Sequence, residues 1–185
     1  SSSGGGIGGA VVLESDAGKS EGFDLRFVQG VGSYSTFDEF LSLGYGTKNW
    51  QFKSKVVYAS SQNDFHYKNY NKKEHIYDQD YNIIQSYYPT EVNRNCDFRD
   101  LHLLEQISHT LKGGNRLNLE AWYLHTNRGI PLLNVDYNDS KQFINRQQEH
   151  TFRGVLGWEH HTSSLRLNAR AGYIYSLQRY NYAKE

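Results

Sequence analysis

Methionine is absent from this chain of 185 residues, cysteine occurs once, proline twice, and neither sign of charge is in excess. A lone Cys96 excludes a disulfide framework and a cysteine-based metal site. With 20 basic and 20 acidic side chains, the balance gives no case for nucleic acid or an acidic substrate. No stretch approaches the roughly 20 consecutive apolar residues that a membrane-spanning helix requires. No secretory leader is recognisable either: the chain opens on Ser1-Ser2-Ser3-Gly4-Gly5-Gly6, which reads as the interior of a longer protein.

What the chain has is tyrosine, 15 of them, in an aromatic content of 15%. A ring with an apolar body and a hydroxyl that wants water suits boundaries between wet and dry surroundings. Mean hydropathy of -0.75 speaks against a helical membrane protein. It does not speak against a barrel, whose wall needs apolar residues only at alternate positions and whose loops are polar.

That alternation is clearest over 165–177. Leu165, Leu167, Ala169, Ala171, Tyr173, Tyr175 and Leu177 share one face, and Arg166, Asn168, Arg170, Gly172 and Ser176 the other, interrupted by Ile174. The run exceeds the roughly 5–6 residues usual for soluble strands. Six further segments repeat it. Phe23, Leu25, Phe27 and Val31 lie opposite Asp24, Arg26, Gly30 and Gly32, and Phe37, Leu41, Leu43 and Tyr45 lie opposite Asp38, Ser42, Gly44 and Gly46. Trp50, Phe52, Val56 and Tyr58 oppose Gln51, Lys53 and Lys55. Later come Leu101, Leu103, Ile107 and Leu111 against Asp100, His102, Gln106 and Ser108, then Leu117, Leu119, Ala121 and Tyr123 against Asn118, Glu120 and Thr126. In the sixth, Phe152, Leu156 and Trp158 oppose Arg153 and Glu159.

Connections between these segments alternate in length after a tight first hairpin at 33–36. Short turns are expected at 47–49, 112–115 and 161–164, and long loops at 62–96 and 129–149. Sorting loops by end is a habit of outer-membrane barrels, and a soluble sandwich has no reason for it. The expected fold is therefore all-β: about seven antiparallel up-and-down strands forming an incomplete part of an outer-membrane β-barrel.

Two glycine motifs fail their context. Gly4, Gly6 and Gly9 fit a dinucleotide fingerprint without its preceding strand or following helix, and Gly18-Lys19-Ser20 would need a glycine where Leu13 stands. The opening has a better match. Ser3-Gly4-Gly5-Gly6-Ile7-Gly8-Gly9-Ala10-Val11-Val12-Leu13-Glu14 resembles the end of the plug domain of TonB-dependent outer-membrane receptors, where a glycine pair and a short apolar strand lead into the barrel. Three phrases resemble the Bacteroidetes cobalamin-receptor branch of that family. They are Tyr67-Lys68-Asn69-Tyr70-Asn71-Lys72-Lys73, Asn127-Arg128-Gly129-Ile130-Pro131-Leu132-Leu133, and Asn145-Arg146-Gln147-Gln148-Glu149-His150-Thr151-Phe152-Arg153-Gly154-Val155-Leu156.

This resemblance implies residues 1–15 as the end of a plug and 16–185 as the first part of a plugged, 22-stranded barrel. It implies a bacterial outer-membrane active transporter, driven through its plug by TonB–ExbB–ExbD, in contact with outer-membrane lipid. A corrinoid is the implied solute, with a siderophore or glycan as alternatives within the family. A passive porin-type channel and a soluble β-sandwich binding protein are the alternatives outside it.

Within the 62–96 loop, Tyr70, Tyr77, Asp78, Asp80, Tyr81, Tyr87 and Tyr88 are the candidate ligand-binding residues, since loops carry binding and tyrosine gives area at little entropic cost. Packing of these rings within the loop is the competing reading. Asp64, Asp78 and Asp80 are read as solvated charge, although the resemblance allows Ca²⁺ to order this loop. Tyr45, Trp50, Trp158, Tyr173 and Tyr175 are the expected membrane-interface aromatics. The 8 histidines are scattered, with His102 and His109 on opposite faces, so no metal centre is expected. No nucleophile–base or paired-carboxylate set can be assembled, and no enzyme activity is expected.

Overall fold

A computed structural model of the chain describes residues 21–131 and 145–182. Residues 1–20, with the plug-like opening, and 132–144, within the second long connection, lie outside the described residues. Seven long strands form a single sheet: β1 (Gly22–Gly32), β2 (Thr36–Gly46), β3 (Trp50–Ser61), β8 (Phe98–Thr110), β9 (Asn115–Gly129), β10 (Arg146–His161) and β11 (Arg166–Asn181). Every neighbouring pair is antiparallel and the spatial order follows the chain, which is up-and-down topology in an open sheet. Four short strands, β4 (His66–Lys68), β5 (Glu74–Tyr77), β6 (Ile83–Tyr87) and β7 (Thr90–Val92), lie between β3 and β8.

The turns explain how strands are reversed so tightly. Thr47 and Thr162 use the same device: the threonine N–H donates to the carbonyl of Trp50 or Leu165 at 2.8 Å, and that residue's N–H returns a bond to the threonine Oγ1 at 3.0 Å. Between β8 and β9, Gly113 and Gly114 take φ of 71° and 74°, a region L side chains resist. Gly114 also packs against the backbone of His161, whose N–H donates to the Gly114 carbonyl at 2.8 Å; a Cβ there would strike the His161 carbonyl.

Register brings the apolar positions into continuous rows. One runs Phe27, Leu41, Val56, Leu103, Tyr123, Phe152 and Tyr175 across all seven strands. No second layer covers this face, and among the described residues no apolar side chain is buried: Phe23, Phe27 and Leu156 remain 69%, 59% and 56% exposed. A soluble fold buries its large apolar side chains in a core.

Two expectations need correction. The loop taken as 129–149 ends earlier, because β10 starts at Arg146 and pairs on both sides, with Gly129 and with Asn181. Its first residues are polar on both faces, so no alternation marks them as strand. The 62–96 insertion is also more than a loop. Its tyrosines and isoleucines form two small antiparallel sheets, β4 with β7 and β5 with β6, nested as one doubled-back arm.

Candidate functional site

The two faces of the large sheet differ in shape as well as chemistry. On the side of Asp24, Lys53, Gln106, Glu120 and Arg170 the sheet curves around a concavity of about 440 Å³. Polar side chains bond across strands there: Ser108 Oγ donates to Asn118 at 2.8 Å, Arg116 to Ser108 at 3.2 Å, and Arg170 lies 4.0 Å from Glu159. Arg26, Lys53, Lys55, Arg166 and Arg170 all fall on this face by register.

Halfway up the concave face the chemistry changes. Phe40, Val57, Leu104, Trp122, Leu124 and Ile174 form an apolar belt. The Arg26 guanidinium stands 5.9 Å from the Phe40 ring and Arg153 stands 4.9 Å from Trp122. His102 stacks on Trp122 with ring centroids 5.9 Å apart. This belt went unread in the sequence, because Arg153, Trp122 and His102 sit on three strands and meet only through register.

On the outward face, the expected interface aromatics divide by height. Trp50 adjoins the 47–49 turn and stacks on Phe52 (5.6 Å) and His109 (3.9 Å). Trp158 lies near the 161–164 turn, its indole N–H donating to Asn115 at 3.2 Å. Tyr45 pairs with Phe52 close to the same end. Tyr173 and Tyr175 lie in the middle of β11, opposite Gly154 and Phe152. His109 is on this face and His102 on the concave one. An additional pair, His125 and His150, faces across β9 and β10 with rings 4.3 Å apart.

The arm is held by polar side chains. Asn69 is 1% exposed; its N–H donates to Pro89 at 2.9 Å, its Nδ2 donates to Glu91 at 2.9 Å, and its Oδ1 accepts the Asn71 N–H at 3.0 Å. Lys72 bridges Glu74 at 3.2 Å and Glu91 at 3.6 Å. Tyr70 and Tyr88 pack together with centroids 5.2 Å apart, while Tyr77 and Tyr81 project outward, Tyr81 at 87% exposure. Tyr87 donates to Glu74 at 2.6 Å; that bond lowers the Glu74 pKa and raises that of the tyrosine.

At the arm's tip Asp78 closes the turn. One carboxylate oxygen accepts the N–H groups of Asp80 (2.9 Å) and Asn82 (2.8 Å), and the other accepts the Asn82 side-chain amide at 3.1 Å. The Asn82 bonds, backbone first, hold the Asp78 pKa below the ordinary carboxylate range. Both oxygens therefore serve the turn. Among the described residues, no three His, Cys, Asp or Glu side chains converge as a metal site.

Where the arm meets the sheet, Asn95 Nδ2 donates to the carbonyls of Ile130 (2.8 Å) and Asn145 (2.9 Å). Arg146 grips Asp97 with two bonds of 3.1 and 2.8 Å, which lowers the Asp97 pKa. Burial raises the Cys96 pKa. No protein-family model matches the chain, and no curated protein matches it either.

Proposed function

We propose that this chain is part of the wall of a bacterial outer-membrane transporter of the TonB-dependent class. The observation that carries the reading is an outward face made mostly of apolar side chains, with Glu39 and Glu105 among them, seven antiparallel strands wide, that nothing in the described chain covers. Uncovered apolar surface of this extent calls for a covering phase, and the seven strands pair with their neighbours in one unbroken ladder from β1 to β11, the arrangement a wall in hydrocarbon needs. The polar concave face then lines an aqueous interior. The arm stands at the end from which the long connections emerge, as outside loops do.

In this reading the arm captures a large, scarce solute, with Tyr70, Tyr77, Tyr81, Tyr87 and Tyr88 offering ring surface. A plug, pulled by TonB–ExbB–ExbD, then opens the path along the concave wall. A corrinoid is the proposed solute, on the resemblance of the loop phrases. No covalent step is involved.

The test uses the complete receptor. Insertion into lipid vesicles with protection of the wall from protease is expected, together with cyanocobalamin binding at micromolar concentration or tighter. A protein that stays in buffer without detergent overturns the membrane assignment. Insertion without cyanocobalamin binding overturns only the solute.

A further inference from the structure

Arginine is distributed unevenly over the outward face. Arg99, Arg146 and Arg179 are the three lysines or arginines that the large-sheet strands turn outward, and all three lie at the long-connection end. The turn end of the same face carries Trp50, His109, Leu117 and Trp158 and no lysine or arginine from a strand. Lateral register puts Arg99 and Arg179 in a single row, Arg99 opposite Asn127, Asn127 opposite Gln148 and Gln148 opposite Arg179, with Arg146 one row above, between Gly129 and Asn181. Three strand spacings put its ends about 14 Å apart.

One row lower stand His125 and His150. His125 Nδ1 lies 3.2 Å from the Glu149 carbonyl, which can only accept, so this ring donates through Nδ1 and keeps Nε2 open. His150 Nδ1 shares a 2.8 Å bond with the Tyr123 hydroxyl. Below them come Leu103, Tyr123, Phe152 and Tyr175. Ascending the face, the surface passes from apolar to imidazole to guanidinium and amide. The acid beside the cluster is Asp97, already bonded twice by Arg146, whose Nε also donates to Asn127 at 2.8 Å. Arg99 and Arg179 are exposed and make no ion pair among the described residues.

We propose that this rim binds the phosphorylated headgroup of a lipid in the leaflet on the arm's side of the membrane. Guanidinium groups take phosphate oxygens two at a time, and amide donors complete the shell. A headgroup bearing two separated phosphates would engage Arg99 and Arg179 together, with its chains lying on the Leu103–Phe152 strip. The proposal rests on the membrane reading of this face. Inorganic phosphate shares the chemistry but has no use for that strip.

The complete receptor in neutral detergent, titrated with a bis-phosphorylated glucosamine lipid and followed by native mass spectrometry, tests it. Saturable binding is expected, weakened about tenfold or more by the double substitution Arg99→Gln and Arg179→Gln, each removing a charge-assisted contact. Arg166→Gln on the concave face serves as the control and leaves binding unchanged. Equal binding of the phosphate-free lipid by the unsubstituted receptor overturns the proposal, whatever the variant's folding. Full competition by inorganic phosphate at the lipid's own concentration overturns the lipid as occupant. Failure to enter vesicles at all would instead count against the membrane reading.

Discussion

The wall and the arm are both antiparallel sheet, yet different forces hold them. In the wall, β9 and β10 pair from Asn115–His160 to Gly129–Arg146 while their large apolar side chains stay exposed. In the arm, β4 and β7 pair over three residues, and stability comes from Asn69, Glu91 and Lys72 bonding one another. The wall therefore depends on what surrounds it, because its hydrophobic contribution appears only when another phase covers it. The arm carries its own interior, a polar one. One chain thus presents a sheet whose apolar face is left uncovered and an arm held together by polar side chains.

The sharpest way to break this contrast is to place the same charge in both. Leu103→Arg, in the middle of the outward face, is expected to cost about 2–4 kcal/mol in the vesicle-inserted receptor. Ile84→Arg, on the exposed arm, should stay within about 0.5 kcal/mol. Urea unfolding in vesicles measures both. Equal costs would mean that the outward face does not meet lipid.

The seam between the parts comes next. Gly129 lies so close to the Asn95 backbone that an added Cβ would overlap its carbonyl, while its N–H donates to Asp97 at 2.8 Å. Gly129→Ala should cost about 1–3 kcal/mol through forced backbone movement. Neighbouring Cys96 supplies the readout: maleimide labelling is expected to accelerate several-fold. An unchanged labelling rate would show that the arm's root does not rest on this contact.

How far sequence reading reached follows from which interactions are local. The wall was legible because Phe23, Leu25 and Phe27 alternate with Asp24 and Arg26, and a period of two needs no knowledge of partners. The start of β10 was not, since Arg146, Gln147 and Gln148 are polar throughout and owe their extended form to β9 and β11. The arm's strands hid for a similar reason: its apolar residues, such as Ile83 and Ile84, are adjacent rather than alternating. The Trp122–Arg153–His102 cluster depends on register between strands, and so does the row from Arg99 to Arg179. Neither has a signature along the chain.

A smaller effect separates the arm from the wall. Asn69→Ala removes the Nδ2 bond to Glu91 and the bond from the Asn71 N–H, at about 1 kcal/mol each. Hydrogen exchange should quicken over 66–92 while the ladder from β8 to β11 keeps its protection. Loss of protection in both would mean that the arm braces the wall.

Acid should act on the arm's tip and by the smallest amount. Asp78 has a folded pKa below its ordinary value of 3.8, so its turn is favoured by the ionised form. A depressed carboxylate contributes stability that is complete above the unfolded pKa and fades as pH falls through the folded one. Asp78 is exposed to solvent, so water screens these bonds and keeps the effect local. The Asn82 amide resonance should hold steady from neutral pH down to about 4 and move only below it. Asp78→Asn should abolish that movement, since a neutral amide does not titrate. Amide shifts that begin well above pH 4, or that persist in the Asn variant, would trace to another group and leave Asp78 without the role its bonds assign it.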